Sequence, residues 1–250
     1  MRIEPVEVNR DYYGVVSSGR EDYWKRMAAP RARVERLTEM LQRAAPTSIV
    51  DLGCGNGSLI LALAEVLYLH RVAAIDLSPA QIEVNGRFAD DIEWIAYDLT
   101  GGEDIPAELA GGFEAVVTSE VIEHVDSPAL FLDRARAFAT PGGRLYLSTQ
   151  SGSVHETERR VGHVRHFTPE TMRSLLELSG WRPVAVWNEG FPFHDLSKWY
   201  ANLNPDASMK RFGEESYGWS ERLICFGLRG LFRLNSKRKG SQLYAIAVAG

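Results

Sequence analysis

Carboxylates recur at the ends of short apolar runs in this chain, and a glycine-rich turn and two histidines stand among them. Ser48 to Gly57 reads S-I-V-D-L-G-C-G-N-G, an apolar run that stops at Asp51 and is followed by glycines at 53, 55 and 57. An apolar run resumes at Leu59, so the order is strand, tight turn, helix. Gly53 and Gly55 let the backbone turn sharply and approach a ligand closely, and the following helix aims free N–H groups at the same place. Val72 to Ile75 ends in Asp76, about 20 residues beyond the turn, the spacing at which an acid accepts hydrogen bonds from a ribose diol. Ile92 to Tyr97 ends in Asp98, placed to accept from an adenine amino group or to close a solvated turn. Phe113 to Thr118 leads into S-E-V-I-E-H-V at 119–125. Glu120, Glu123 and His124 stand at i, i+3 and i+4, which would converge on one face of a helix. His163, from the loop after the fifth strand, would complete an oxygen and nitrogen set for a divalent ion. Both glutamates are also explicable without an ion, so no metal ligands are assigned. Histidine takes a proton near neutral pH, which makes His124 and His163 the candidate bases.

These residues need a sheet to bring them together. Strands alternate with amphipathic helices as far as Trp181 to Asn188, with a final strand at Leu243 to Val248. That alternation predicts an α/β, doubly wound, mostly parallel seven-stranded sheet. The expected helices include Leu59 to Leu69, the one around Leu130 to Phe138 ended by Pro141-Gly142-Gly143, and one opened by Thr168-Pro169. Residues 1–45 read as an N-terminal helical lid, 46–189 as the catalytic core, 190–240 as an aromatic-rich insertion and 241–250 as the last core strand. The N-terminal segment contributes Tyr12, Tyr13, Tyr23 and Trp24. The insertion carries Phe191, Phe193, Trp199, Tyr200, Phe212, Tyr217 and Trp219, and a helix at Leu223 to Leu234. A cap over a substrate pocket and a dimer contact both accommodate these aromatics.

The chain has 250 residues, 45% of them hydrophobic, and a net charge of −5. That suffices for a full core and argues against a broad nucleic-acid surface. No apolar run reaches membrane-spanning length and no signal-peptide pattern opens the sequence, so a cytoplasmic protein without a membrane span is expected. Cys54 and Cys225, far apart, fit a reducing compartment.

With V-D-L-G-C-G-N-G at 50–57, Asp76, Asp98, E-V-I-E-H-V at 120–125 and P-G-G-R-L at 141–145, the chain resembles the class I S-adenosylmethionine-dependent methyltransferases. The resemblance covers residues 46 to 188 and the final strand, and implies a Rossmann-like methyltransferase fold. It also implies that Gly53 and Gly55 lie against the amino-acid end of S-adenosylmethionine, with Asp51 ordering its ammonium. Asp76 would hold the ribose with Leu77 beside the adenine, Asp98 and Leu99 would recognise adenine from the other side, and Glu120 would border the cofactor. The E-H-V stretch and G-H-V-R-H-F-T-P-E-T at 162–171 resemble the ubiquinone-biosynthesis and natural-product O-methyltransferases, which places His124 or His163 near an acceptor hydroxyl. The implied activity is methylation of a small aromatic, polyketide-like or glycosylated acceptor by a monomer or homodimer, leaving S-adenosylhomocysteine. N- or C-methylation, metal-assisted RNA 2'-O-methylation and a non-catalytic cofactor-binding regulator are the alternatives.

Overall fold

A computed structural model of the chain describes residues 25–101, 104–212 and 217–250. The aromatic cluster expected at Tyr12 to Trp24 lies outside them. Seven strands form one sheet in the order β3-β2-β1-β4-β5-β7-β6. They are β1 (Ser48–Leu52), β2 (Arg71–Asp76), β3 (Glu93–Ala96), β4 (Phe113–Ser119), β5 (Ala139–Gln150), β6 (Trp181–Glu189) and β7 (Gln242–Ala249). The first five run parallel, and β7 pairs antiparallel with both β5 and β6.

Alternate residues of the central strands face opposite layers, as the two-residue period of a strand requires. Val50, Leu52, Ala73, Ile75, Val116 and Leu145 join one core cluster, whereas Ile49, Val72, Ala74, Val117 and Tyr146 join the other. Helices α4 (Pro128–Phe138) and α6 (Pro169–Leu178) cover the first face with Phe131, Leu132, Met172 and Leu176. Helices α1 (Ala28–Ala44), α2 (Ser58–Val66) and α3 (Pro79–Asn85) cover the second with Leu37, Leu41, Ile60, Leu63 and Ile82. A short α5 (Glu156–Arg160) precedes α6, and α7 (Phe193–Leu203), α8 (Pro205–Phe212) and α9 (Trp219–Phe232) lie between β6 and β7. This is the doubly wound architecture expected from the sequence.

Three local expectations change. Helix α2 stops at Val66, three residues short of Leu69, because Leu67 is already extended and leads into β2. Helix α4 ends at Phe138, before Pro141-Gly142-Gly143. Those residues bulge out of β5 between the pairs Phe113–Ala139 and Ala115–Arg144. The insertion is three helices, and most of its aromatics face outward. Phe191, Trp199, Tyr200 and Trp219 are exposed, while Tyr217 is buried.

Candidate active site

The parallel register fixes where the chemistry gathers. Asp51 pairs with Ala74 on one side and Val117 on the other, so the carboxyl ends of β2, β1 and β4 open on one edge of the sheet. Running the opposite way, β7 starts at that edge, where Gln242 lies against Gln150 at the end of β5.

The glycine turn is held by backbone and side-chain bonds from three directions. The N–H groups of Gly53 and Cys54 donate to Ile75 O, at 2.8 and 3.0 Å. Gly55 N donates to Asp76 Oδ2 at 2.8 Å, and Asn85 Nδ2 of α3 donates to Gly55 O at 2.7 Å. Gln81 Nε2 fixes Asn85 by donating to its Oδ1 at 2.7 Å. Gly53 has φ +76°, and a Cβ there would stand 2.4 Å from Val121 Cγ2. The turn thus packs directly on the segment after β4. Gly55 has φ +50°, and a Cβ there would meet nothing within 4 Å, so this side of the turn is open.

The carboxylates differ in their surroundings. Asp51 is buried and its Oδ2 has no hydrogen-bond partner. Burial, reinforced by the charge of Asp76, pushes its carboxyl up to about 8. A bound cation would supply what this orphaned oxygen lacks. Burial also raises the carboxyl of Asp76, opposed by the N–H groups of Ser78, Gly55 and Leu77. Leu77 follows it, half-buried. Asp98 uses Oδ1 to close a turn, accepting from Thr100 N, Thr100 Oγ1 and Gly101 N at 2.8 to 3.0 Å. Leu99 beside it sends its side chain into the core.

Residues after β4 depart from the helical expectation. Glu120 has φ +57°, and the segment through His124 is a turn in which His124 N donates to Val121 O. Glu120 is thereby separated from the other candidate ligands. Its Oε2 accepts from Gln150 Nε2 at 2.5 Å, its Oε1 accepts from Gln242 Nε2 at 2.9 Å, and Arg33 of α1 stands 3.7 Å away. Burial would raise its carboxyl, but Arg33 and the two amides hold it down at about 2.

Glu123, His124 and His163 do come together, each offering a ligand atom within 4.8 Å of the others. The loop after β5 delivers His163, because Val164 N donates to Glu123 O at 3.1 Å. Glu123 accepts from Thr149 Oγ1 at 2.7 Å, and its Oε1 has no hydrogen-bond partner. Burial and the charge of Glu120 hold its carboxyl well above the usual range. Burial lowers His124 to about 4, and burial with neighbouring His124 lowers His163 to about 2. Both imidazoles are therefore neutral lone-pair donors at pH 7. His163 Nδ1 lies 3.0 Å from His166 Nε2, which faces Glu158, itself ion-paired with Lys198 of α7 at 2.6 Å.

The structure thus gathers Asp51, Gly53, Gly55 and Asp76 in one group and Glu123, His124 and His163 in another, with Gly53 packed against Val121 of the segment that carries Glu123 and His124. Arg33, Asn85, Gln150, Glu158 and Gln242 were not legible as site residues. Asn85 and Gln81 had one signal, a polar i, i+4 pair on a short helix, while the rest depend on which strand ends meet. Some of the surface arginines are engaged internally, whereas Arg233 and Arg238 are exposed. Arg160 pairs with Glu156 and Asp206, Arg165 donates to Asp126 O, and Arg229 pairs with Glu35.

Comparison with known proteins identifies the family. Residues 23–186 match the family model described as a methyltransferase domain. Over 118 residues the chain is 34% identical to the ubiquinone biosynthesis O-methyltransferase of Xanthomonas axonopodis pv. citri (strain 306), covering 47% of this chain and 48% of that protein. The chain thus aligns with about half the length of that curated relative. Among solved structures, the N-methyltransferase NodS from Bradyrhizobium japonicum, in complex with S-adenosylhomocysteine, superposes with TM-score 0.59 at 19% identity, over 96% of this chain and 98% of that one. The 1,6-didemethyltoxoflavin-N1-methyltransferase of Burkholderia thailandensis gives TM-score 0.60 at 18% identity, over 100% and 91%. At these identities the two structures speak for the fold. The chain belongs to the methyltransferase-domain family, the class I S-adenosylmethionine-dependent methyltransferases, and resembles within it the ubiquinone-biosynthesis O-methyltransferases.

Proposed function

We propose that this protein transfers a methyl group from S-adenosylmethionine to a hydroxyl of a small molecule. The observation that carries the reading is the convergence of Glu123, His124 and His163 beside a glycine turn already tied to Asp76. The residues present fit the cofactor. The open side of Gly55 receives its amino-acid end, the buried Oδ2 of Asp51 pairs with its ammonium, and Asp76 has lone pairs left for two ribose hydroxyls. Asp98 and the Leu99 backbone would border the adenine, and Glu120, fixed by its two amides, would border the cofactor.

The bound cofactor supplies an electrophilic methyl group on a sulfonium. The chain has two remaining tasks, aligning the acceptor oxygen with that methyl and accepting its proton. With Nδ1 of His163 directed at His166, its Nε2 would take the acceptor proton when no ion is held there and would be a ligand when one is, and His124 packs edge-on against it at 4.6 Å between ring centroids. Low basicity of both imidazoles favours help from a divalent ion. Glu123, His124 and His163 would hold it, a carboxylate and imidazole set suited to Zn2+, Mn2+ or Fe2+. Such an ion would lower the pKa of the acceptor hydroxyl.

The test is transfer of labelled methyl to a panel of phenols, catechols and glycosides, with wild type and with His163→Ala, before and after chelation. Product with wild type and its loss in His163→Ala support the reading, and restoration by added metal assigns the ion. No O-methylated product across the panel, with methylated amines in its place, would overturn it.

A further inference from the structure

Helix α9 turns two unlike faces to its surroundings. Cys225 is buried, Phe232 is half-buried, and Arg229 pairs with Glu35 of α1, so one face packs on the body of the protein. The opposite face carries Trp219, Leu223 and Phe226 at helical spacing, 80%, 62% and 77% exposed, and Leu234, 70% exposed, follows in the turn just past the helix end. Gly227 and Gly230 lie among them with open space where a side chain would be. Neighbouring α7 adds exposed Trp199 and Tyr200. Four large apolar side chains in one outward row exceed the scattered exposure normal for a soluble surface.

Charge identifies what the row faces. From Tyr217 to Lys239 the sequence has six Arg and Lys against one Glu in a chain whose net charge is −5, and of the six Arg229 and Lys237 pair with Glu35 and Glu39 of α1. Arg233, Arg238 and Lys239 are exposed at the carboxyl end of the row. Helix α9 has 14 residues, and no helix among the described residues is long and apolar enough to cross a membrane. An aromatic and leucine face edged by basic residues suits a helix that lies in the plane of a bilayer surface.

We infer that α9 is a membrane-surface docking element, which seats its Trp219–Leu234 row among the acyl chains of an anionic leaflet with Arg233, Arg238 and Lys239 on the headgroups. This goes beyond methyl transfer and does not depend on it. The docked acyl region is apolar and the headgroup region negative, which matches the face in both respects. A second copy of this chain would meet the same positive charge.

Flotation of the full chain with phosphatidylcholine vesicles, with and without phosphatidylglycerol, tests the inference. Binding to the anionic vesicles is expected, at least about tenfold weaker to the neutral ones and weakened by salt. Leu223→Ser with Phe226→Ser should lower it at least about tenfold, and Arg238→Glu should lower it at least about fivefold. Quenching of tryptophan emission by brominated acyl chains, diminished in Trp219→Phe, gives the same reading without a polar substitution. Absence of binding to anionic vesicles overturns the inference, as does binding that neither variant changes. Light scattering that finds a dimer made monomeric by Leu223→Ser/Phe226→Ser, without vesicle binding, assigns the face to a second copy instead.

Discussion

The amide of Gly55 donates to Asp76 Oδ2 at 2.8 Å, so the glycine turn and the acid at the end of β2 are one unit before any ligand arrives. Asp76 also accepts from Ser78 N at 2.9 Å, which fixes the start of α3. Replacing it removes two charge-assisted bonds as well as the proposed ribose contact. Asp76→Ala should therefore lower S-adenosylhomocysteine affinity by more than about tenfold and also cost about 2–4 kcal/mol of stability. Calorimetric titration and denaturant unfolding separate the two effects. Unchanged affinity would remove the ribose assignment.

Asn85 holds the carbonyl of the same glycine. Asn85→Ala leaves Gly55 O without its side-chain donor and Gln81 Nε2 without its acceptor, both in a largely buried setting. The expected cost is about 1–3 kcal/mol, with a severalfold loss of cofactor affinity because the turn is no longer pre-set. Thermal unfolding and titration on this variant check it.

Gly53 is constrained twice, by its φ of +76° and by Val121 at 2.4 Å from a built Cβ. Gly53→Ala should cost about 2 kcal/mol or more. Adding Val121→Ala relieves the clash but not the backbone strain, so the double variant should recover part of the loss. Full additivity in a double-mutant cycle would show that the two residues do not press on each other.

The pH dependence of stability carries opposite signs for Asp51 and for the two histidines. Asp51 has its folded value raised to about 8, so the folded chain keeps a proton that the unfolded chain gives up. Its contribution is full at low pH and is lost as pH rises from about 4 toward about 8. At about 1.4 kcal/mol per pKa unit, this amounts to several kcal/mol. Asp51→Asn should melt higher than wild type at pH 8 without cofactor and close to wild type at pH 4. His124 and His163 have lowered folded values, so their contribution is full above about 6.5 and is lost as pH falls. Parallel melting curves for wild type and Asp51→Asn would contradict the burial of that carboxyl.

The doubly wound sheet and the first part of the site could be read from the chain because both depend on the alternation and ends of local apolar runs. Asp51, Gly53, Gly55 and Asp76 lie at the ends of apolar runs whose two-residue period is unambiguous, and a parallel sheet then aligns those ends. The Glu120–His124 segment was harder. Its i, i+3, i+4 spacing suits a helix, but Glu120 adopts φ +57° and turns away toward Gln150 and Gln242. Those glutamines lie 30 and 122 residues away in sequence, on antiparallel neighbours that only the final sheet order brings together. The packing of the insertion was not legible for a different reason. Aromatic content does not say which side of a helix packs, and Trp199 and Trp219 face outward.

A crystal structure of the protein soaked with S-adenosylhomocysteine and Mn2+ tests the proposed site most directly. The expected density places the ribose hydroxyls on Asp76, the ammonium on Asp51 and the sulfur opening toward His163, with the ion on Glu123, His124 and His163. A ligand bound away from Gly55, or a sulfur turned from the two histidines, would contradict methyl transfer at this site.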